Sequence, residues 1–289
     1  MTRSTTPLTK LAALEPYNRR MISTLMRKYN VTLRNYRAIN VAKKKQHLHL
    51  LRQLNYTAQG RNLRTFLCNK QGNDCLRGKL MTGHAYRRLI QLRTRTVPTN
   101  TQKLLGRSNP TDPQTRCCHC GNMTGAAETL EHIIQHCPTT HELRVLRHNL
   151  LMHEFTSMAE AKGYHVTTDP RLTLNGLVKI LDLILTRPTV AAIIDIAVPW
   201  GNNRTFSARR QQKIEKYGGL RPQVRSMHAA SEVIVDALIV GARGKWDPCN
   251  NKTLKKLGLK LSHGQISGLC TLMAMRTAKV VDHFFTTPC

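Results

Sequence analysis

The chain has 289 residues and is 40% hydrophobic, enough for a buried core and about two domains. Its 45 Lys and Arg against 16 Asp and Glu give a formal net charge of +29. Self-repulsion of that size calls for a polyanionic partner, and nucleic acid is the one indicated. A membrane partner is not expected, because the longest apolar runs, such as Val190–Ile194, are far short of a span.

The charge is concentrated early: residues 1–110 hold 23 Lys and Arg against only Glu15 and Asp74. Leu8, Leu11, Leu14, Ile22, Leu25 and Met26 fall near helical spacing, and the segment 8–96 reads mostly as helix. Lys43-Lys44-Lys45 and the group Arg87, Arg88, Arg93 and Arg95 form basic clusters on it. Pro98-Thr99-Asn100 ends this helical region, and Ser108–Pro113 reads as a loop. Glu128–Gln135 reads as a short helix and Glu142–Glu154 as an amphipathic one. Beyond residue 160 the pattern changes to short runs rich in Ile and Val. Tyr164–Thr168, Ile180–Thr186, Val190–Val198 and Val233–Val240 read as strands. Ser207–Tyr217 is a charged helix between strands, and a final helix covers His263–Phe285. This predicts a basic helical region over 1–107, a small metal module over 108–150 and an α/β domain over 151–289.

Cys117-x2-Cys120 followed by His132-x4-Cys137 has the spacing of a structural zinc site. Cys117 and Cys120 would sit on a knuckle turn, with His132 and Cys137 facing it from about one helical turn. Cys118, His119, His136 and His141 are nearby competitors for the ligand positions. Four protein ligands close the coordination shell, so this ion is expected to be structural. The other cysteines are irregularly spaced and predict no disulfide framework. Met1–Pro7 is polar, with no signal peptide, so a reducing intracellular compartment is expected, and a basic zinc protein suggests the nucleus.

Asp182 and Asp195 each interrupt an otherwise apolar strand. A buried carboxylate without a partner is costly. If Thr186-Arg187-Pro188-Thr189 turns a hairpin between Pro188 and Thr189, Asp182 and Asp195 lie directly opposite, roughly 4.5–5.5 Å apart at Cβ. Like charges placed so closely need a cation, and Mg²⁺ suits carboxylate oxygens together with water and phosphate oxygens. The blander expectation is that one of the two pairs with an Arg or Lys. Lys213 and Lys216, three apart on one helical face, can bring a positive charge to the site, with Ile214 and Tyr217 packing inward.

These motifs, in this order, resemble the C-terminal region of site-specific non-LTR retrotransposon polyproteins, the kind that insert into ribosomal RNA genes. Nearly the whole chain takes part. Gly83-x5-Leu89-Ile90-x-Leu92-Arg93-Thr94-x-Thr96-Val97-Pro98-Thr99 looks like the family's linker. Cys117-x2-Cys120 with His132-x4-Cys137 looks like its Cys-Cys-His-Cys knuckle, and Arg147-His148-Asn149 like the signature that follows. Asp182-x12-Asp195 and Lys213-x2-Lys216-Tyr217 look like its restriction-like endonuclease, of the PD-(D/E)xK type. Val240-Gly241-Ala242-Arg243-Gly244-x-Trp246 and Leu257-Gly258 complete the tail.

The resemblance implies a nuclease that nicks double-stranded target DNA, so that the exposed 3′ end primes reverse transcription of the element's RNA. It implies Asp182 and Asp195 as Mg²⁺ ligands, Lys213 or Lys216 as the catalytic lysine, and structural Zn²⁺ in the knuckle. Arg87, Arg88, Arg93, Arg95, Arg147 and His148 are the nucleic-acid contacts expected. Two positions depart from the pattern: Leu181 stands where the family has Pro, and Ala197 where ordinary restriction-like nucleases carry the Lys. No Asp-Asp dipeptide occurs, so the polymerase motif is absent and the chain is expected to follow an upstream reverse transcriptase domain of the same polyprotein. The alternatives are a catalytically inactive nucleic-acid-binding remnant and a zinc-finger regulator; the opposed aspartates have no role in the latter.

Overall fold

The computed structural model describes residues 36–57, 60–66, 69–77, 81–107 and 112–289, with Thr24 and Arg27 as single helical positions. The expected helical positions Leu8, Leu11, Leu14, Ile22, Leu25 and Met26, and residues 108–111 of the expected loop, lie outside the described residues. The chain divides into two units, Met1–Arg64 and Thr65–Cys289. In the first, helix α1 (Tyr36–Tyr56) carries the Lys43-Lys44-Lys45 cluster. Residues 65–107, the Cys/His module and the strand-rich region all lie in the second.

Helix α2 (Gly83–Thr94) opens the larger described stretch of that unit. The Thr82 hydroxyl accepts from the Ala85 N–H and caps its start, and Arg95 ends it in the left-handed region at φ 59°. Helix α3 (Leu130–Gln135) is capped by Thr129 and carries His132. Helix α4 (His141–Glu160) follows after one tight turn.

A five-stranded mixed sheet comes next, in the order β1 (His165–Thr168), β4 (Leu183–Thr186), β5 (Val190–Ala197), β6 (Glu232–Gly241) and β7 (Lys245–Trp246). The β5–β6 pair is parallel and the others antiparallel. A parallel pair needs a crossover. Helices α5 (Asn203–Gly218) and α6 (Arg221–Met227) supply it. Helices α7 (Asn250–Lys256) and α8 (His263–Thr286) complete the chain.

Strand alternation sorts the core into two layers. Leu183, Leu185, Ala192 and Ile194 pack with Leu151 and Phe155 of α4 and Leu269 and Met273 of α8. Ile184, Ala191, Ile193 and Val235 pack with Tyr217, Leu220 and Val224 of α5, α6 and their junction. The sheet is thus covered by helices on both faces, and this is a mixed α/β fold.

The expected strand over Ile180–Thr186 is two strands. Strands β2 (Arg171–Leu174) and β3 (Leu177–Ile180) form a separate hairpin that turns at Asn175-Gly176, both at positive φ. That is the Asn-Gly hairpin signal, which the run of apolar residues had masked. The chain bends at Leu181-Asp182, where the Leu181 N–H donates to the Pro170 carbonyl and the Asp169 N–H to the Asp182 carbonyl.

The Gly241-Ala242-Arg243-Gly244 segment explains a buried arginine. Arg93 of α2 donates to the carbonyls of Arg243 (2.7 Å), Gly244 (3.1 Å) and Gly72 (2.6 Å), and stacks over Phe66 at 3.8 Å. Gly244 has φ 72°, and a Cβ there would meet the Cys270 carbonyl oxygen at 2.7 Å. Only glycine fits. Arg243 itself stacks over Trp200 at 4.0 Å.

Candidate metal centre and acid pair

The Cys/His module is built around a short pairing of backbone. The Cys117 N–H donates to the Ala126 carbonyl and the Glu128 N–H to the Thr115 carbonyl. Glu128 is buried, and its carboxylate accepts from the Cys118 N–H at 3.1 Å and the Asn100 N–H at 2.9 Å. It ties the knuckle turn to the segment after α2. His132 and Cys137 come from α3 and its end.

The four donor atoms, three Sγ and one imidazole nitrogen, all lie within 4.8 Å of one another. Cys117 Sγ is 3.9 Å from Cys137 Sγ, and Cys120 Sγ is 3.2 Å from His132 Nε2. A tetrahedron with zinc–sulfur bonds of ~2.3 Å has edges of about 3.8 Å. The donor set therefore fits, and the cluster can hold a metal ion such as zinc. Burial pushes the Cys117 thiol up to about 12 and raises Cys137. It also lowers His132, keeping the imidazole neutral and fit to ligate. Of the competitors, His119 donates from Nε2 to the Phe284 carbonyl (2.9 Å), and its ring meets Phe284 edge-on.

Cys118 is bonded to Cys289, a cross-link the irregular cysteine spacing did not predict. The packing of Phe284 near the end of α8 against His119 brings the two together. Spacing in sequence carries no trace of that contact.

The hairpin register places Leu183 opposite Ile194 and Ile184 opposite Ile193, and Arg187 and Val190 close a two-residue turn. The turn is the one expected, and the register ends one step short of Asp182 and Asp195, which are near enough for the charge of Asp182 to act on Asp195. The two carboxylates differ sharply. Asp182 Oδ2 accepts from the Ile196 N–H at 2.6 Å and faces His148 Nε2 at 3.2 Å. Burial raises its pKa, but the hydrogen bond and charge of His148, the Ile196 N–H and Lys213 outweigh it and hold the acid below its ordinary value. Asp195 is 1% exposed, and Lys213 and the Tyr217 hydroxyl are the donors beside it. Its one close cation is Lys213, with Nζ 2.5 Å from Oδ2. Burial and the charge of Asp182 outweigh that lysine and hold Asp195 above its ordinary value.

Lys213 and Lys216 are separated by the structure. Lys213 reaches Asp195 from α5. Lys216 is exposed, and its Nζ donates to the Tyr217 hydroxyl at 2.7 Å. Tyr217 in turn donates to the Ile180 carbonyl at 3.0 Å. Helix α5 is held by Arg210, one turn before Lys213, which pairs with Asp236 and with Asp247 at 2.8 Å. Sequence reasoning missed this network; Asp236 inside the apolar strand Val233–Val240 was the available signal.

The residues expected to touch nucleic acid divide. Arg87 is exposed. Arg95 is half-buried, 5.4 Å over Trp200. Arg88 pairs with Asp282 at 2.7 Å and its side chain is largely covered. Arg93 and Arg147 are each 2% exposed and bond to protein groups, so neither reaches a phosphate in this structure. Arg147 donates to Thr277 Oγ1 at 2.8 Å and to the Ile134 carbonyl at 3.1 Å. His148 stands at the acid pair instead of on an outer surface. A basic residue in a sequence cluster can equally be a tie between elements, and burial decides which.

No protein-family model matches the chain. Sequence relatives do. It is 28% identical over 225 residues to a retrovirus-related Pol polyprotein from a type-1 retrotransposable element R2 of Popillia japonica, covering 76% of this chain and 45% of that protein. A second such polyprotein from Popillia japonica is 26% identical over 208 residues, covering 71% of this chain and 44% of that protein. The Pol polyprotein from the type-2 element R2DM of Drosophila melanogaster is 29% identical over 186 residues, covering 63% of this chain and 17% of that protein. The chain thus spans less than half the length of these curated relatives. Its relatives are Pol polyproteins of R2 non-LTR retrotransposable elements, and the chain matches a region of such a polyprotein, which supports a retrotransposon-derived protein.

Proposed function

We propose that this chain is a restriction-like, Mg²⁺-dependent DNA endonuclease region that nicks double-stranded target DNA for target-primed reverse transcription. The observation that carries the reading is the buried Asp195, paired with Lys213 and close enough to Asp182 for the two charges to repel. Two carboxylates in one desolvated place repel each other; Asp195 does pair with a lysine, as the blander expectation has it, and Lys213 offsets part of that repulsion. The carboxylate oxygens are the hard ligands Mg²⁺ takes, and the residues present fit it. Bound there, Mg²⁺ would supply water activation and charge stabilisation at a phosphodiester. Asp182 and Asp195 hold the cation, and Lys213 holds positive charge at the reacting phosphate. Lys216 lies on the same helix but is turned to Tyr217, so Lys213 is the lysine favoured.

The Cys117, Cys120, His132 and Cys137 cluster holds structural Zn²⁺ and contributes to nucleic-acid binding. Arg87, Arg95 and the Lys43-Lys44-Lys45 cluster make phosphate contacts to DNA and element RNA. The reverse transcriptase of the same polyprotein is the protein partner, and the nucleus is the place of action. Among the described residues no helix is long and apolar enough to cross a membrane.

The test is nicking of supercoiled plasmid by the zinc-loaded chain at low salt with Mg²⁺. Nicking by the wild type and its loss in Asp182→Ala and Asp195→Ala is the result expected. A wild type that leaves the plasmid intact under those conditions sinks the reading. Binding of DNA should weaken steeply with salt, as counterion release requires.

A further inference from the structure

We infer that His148 is a positioning residue of the acid pair, which fixes the Asp182 carboxylate so that a divalent cation can be held; the inference rests on the nuclease reading above. His148 comes from α4, in the helical layer opposite the α5 that carries Lys213. Its Nε2 lies 3.2 Å from Asp182 Oδ2 and 3.2 Å from the Ile196 carbonyl. The Ile196 N–H donates to the same Oδ2 at 2.6 Å. One residue of β5 and one of α4 therefore fasten a single oxygen of Asp182. No hydrogen bond among the described residues falls on the other oxygen, Oδ1. With Asp195 Oδ1 it makes a set of hard donors, while Asp195 Oδ2 is paired with Lys213.

The anchor is itself anchored. Arg147, the residue before, is buried and joins the α3 carbonyl of Ile134 to Thr277 of α8. Leu151 and Phe155, one and two turns on, are buried in the sheet core. The backbone at His148 is thus set by packing that begins at the helix carrying His132. A continuous line of contacts runs from the Cys/His module through Arg147 to His148 and Asp182. Partners that orient ligating groups in this way typically contribute 10–100-fold to metal affinity. Without His148, Asp182 keeps only the Ile196 N–H, and its carboxylate is free to turn about that one bond.

The experiment is Mn²⁺ binding to the zinc-loaded chain, read from the electron-spin resonance of free Mn²⁺, for wild type, Asp195→Asn, His148→Ala and His148→Gln. Thermal melts run alongside. Wild type should bind a Mn²⁺ that Asp195→Asn does not. His148→Ala should weaken that binding by about 10-fold, and His148→Gln, whose amide can donate to the same oxygen, should restore most of it. Equal affinity in wild type and His148→Ala overturns the positioning role. So does equal weakening by Ala and Gln, because the lost packing, and not the lost donor, would then be the cause. If Asp195→Asn leaves Mn²⁺ binding unchanged, the cation reading of the acid pair falls, and this inference falls with it.

Discussion

The Cys/His module and the acid pair both bury polar donors that a cation would satisfy, but they do so in opposite ways. In the module, four soft donors come from two adjacent local structures, a knuckle turn and a six-residue helix, within about twenty residues of chain. Their mutual distances already match a tetrahedron, and no position is left open. At the acid pair, the donors are hard oxygens brought together by a sheet register, and their partners come from α4 and α5 on opposite faces. One carboxylate is fastened by a backbone N–H and an imidazole. The other is buried beside a lysine and the Tyr217 hydroxyl. The first arrangement suits holding structure together; the second sets carboxylate oxygens beside a lysine, the arrangement the proposed nuclease chemistry would use. Local spacing builds the proposed staple, while convergence of distant elements builds the proposed reaction site.

The sharpest way to break this contrast is to remove the metal from the module. Cys117→Ser or Cys137→Ser, or a strong chelator, should destabilise the 65–289 unit by several kcal/mol, because metal binding at a structural site is folding free energy. A melting temperature insensitive to chelation would show that the module is not a staple. Cobalt substitution should give the absorption of a tetrahedral thiolate site.

At the acid pair the large effect should be on rate and not on folding. Asp182→Ala and Asp195→Ala should each lower nicking by more than about 100-fold, while circular dichroism stays native. Unfolding of both variants would make the pair a structural element like the module.

Lys213 and Lys216 give a smaller and more selective test. Lys213→Met should cost about 100-fold in nicking, and Lys216→Met less than about 3-fold. Equal losses would mean that the helix face, and not the contact with Asp195, is what matters.

The smallest effect concerns stability. Asp195 is held above its ordinary value, so in the folded chain its ionised form is disfavoured. That penalty is absent at pH values below the unfolded pKa and develops as pH rises through it toward the folded pKa. Asp195→Asn should therefore stabilise the chain at neutral pH, on the order of 1 kcal/mol, and flatten the pH dependence. Asp182 has the opposite sign: its depressed pKa contributes stability above the unfolded value that is lost as pH falls through the folded one. A denaturation series from pH 3 to 7 separates the two, and a destabilised Asp195→Asn at pH 7 would show that the Lys213 ion pair outweighs the repulsion.

Much of this was legible in the chain itself. The zinc spacing is a local property, and Cys117, Cys120, His132 and Cys137 needed only their intervals to be grouped. The hairpin register followed from the two-residue turn at Pro188-Thr189, because side-chain alternation fixes which residues face each other. The helices expected over Ser207–Tyr217 and His263–Phe285 are present, the first beginning four residues earlier at Asn203. The β2–β3 hairpin was not legible, because Leu177-Val178-Lys179-Ile180 is followed closely by the apolar residues of β4, with only Leu181 and Asp182 between. The roles of the arginines were least legible. Arg87 and Arg93 stand in one basic cluster, yet one is exposed and the other is threaded among the carbonyls of Gly72, Arg243 and Gly244, more than a hundred residues away in two of three cases.

By itself, then, the sequence determined the donor types, the ligand spacing of the module and the hairpin that brings Asp182 and Asp195 near each other, since each depends on intervals within one local element. Only the tertiary structure decided which lysine meets Asp195, that His148 meets Asp182, and that Arg93 and Arg147 are ties between elements. Those contacts join helices on opposite faces of the sheet, and long-range packing leaves no periodic mark in the chain.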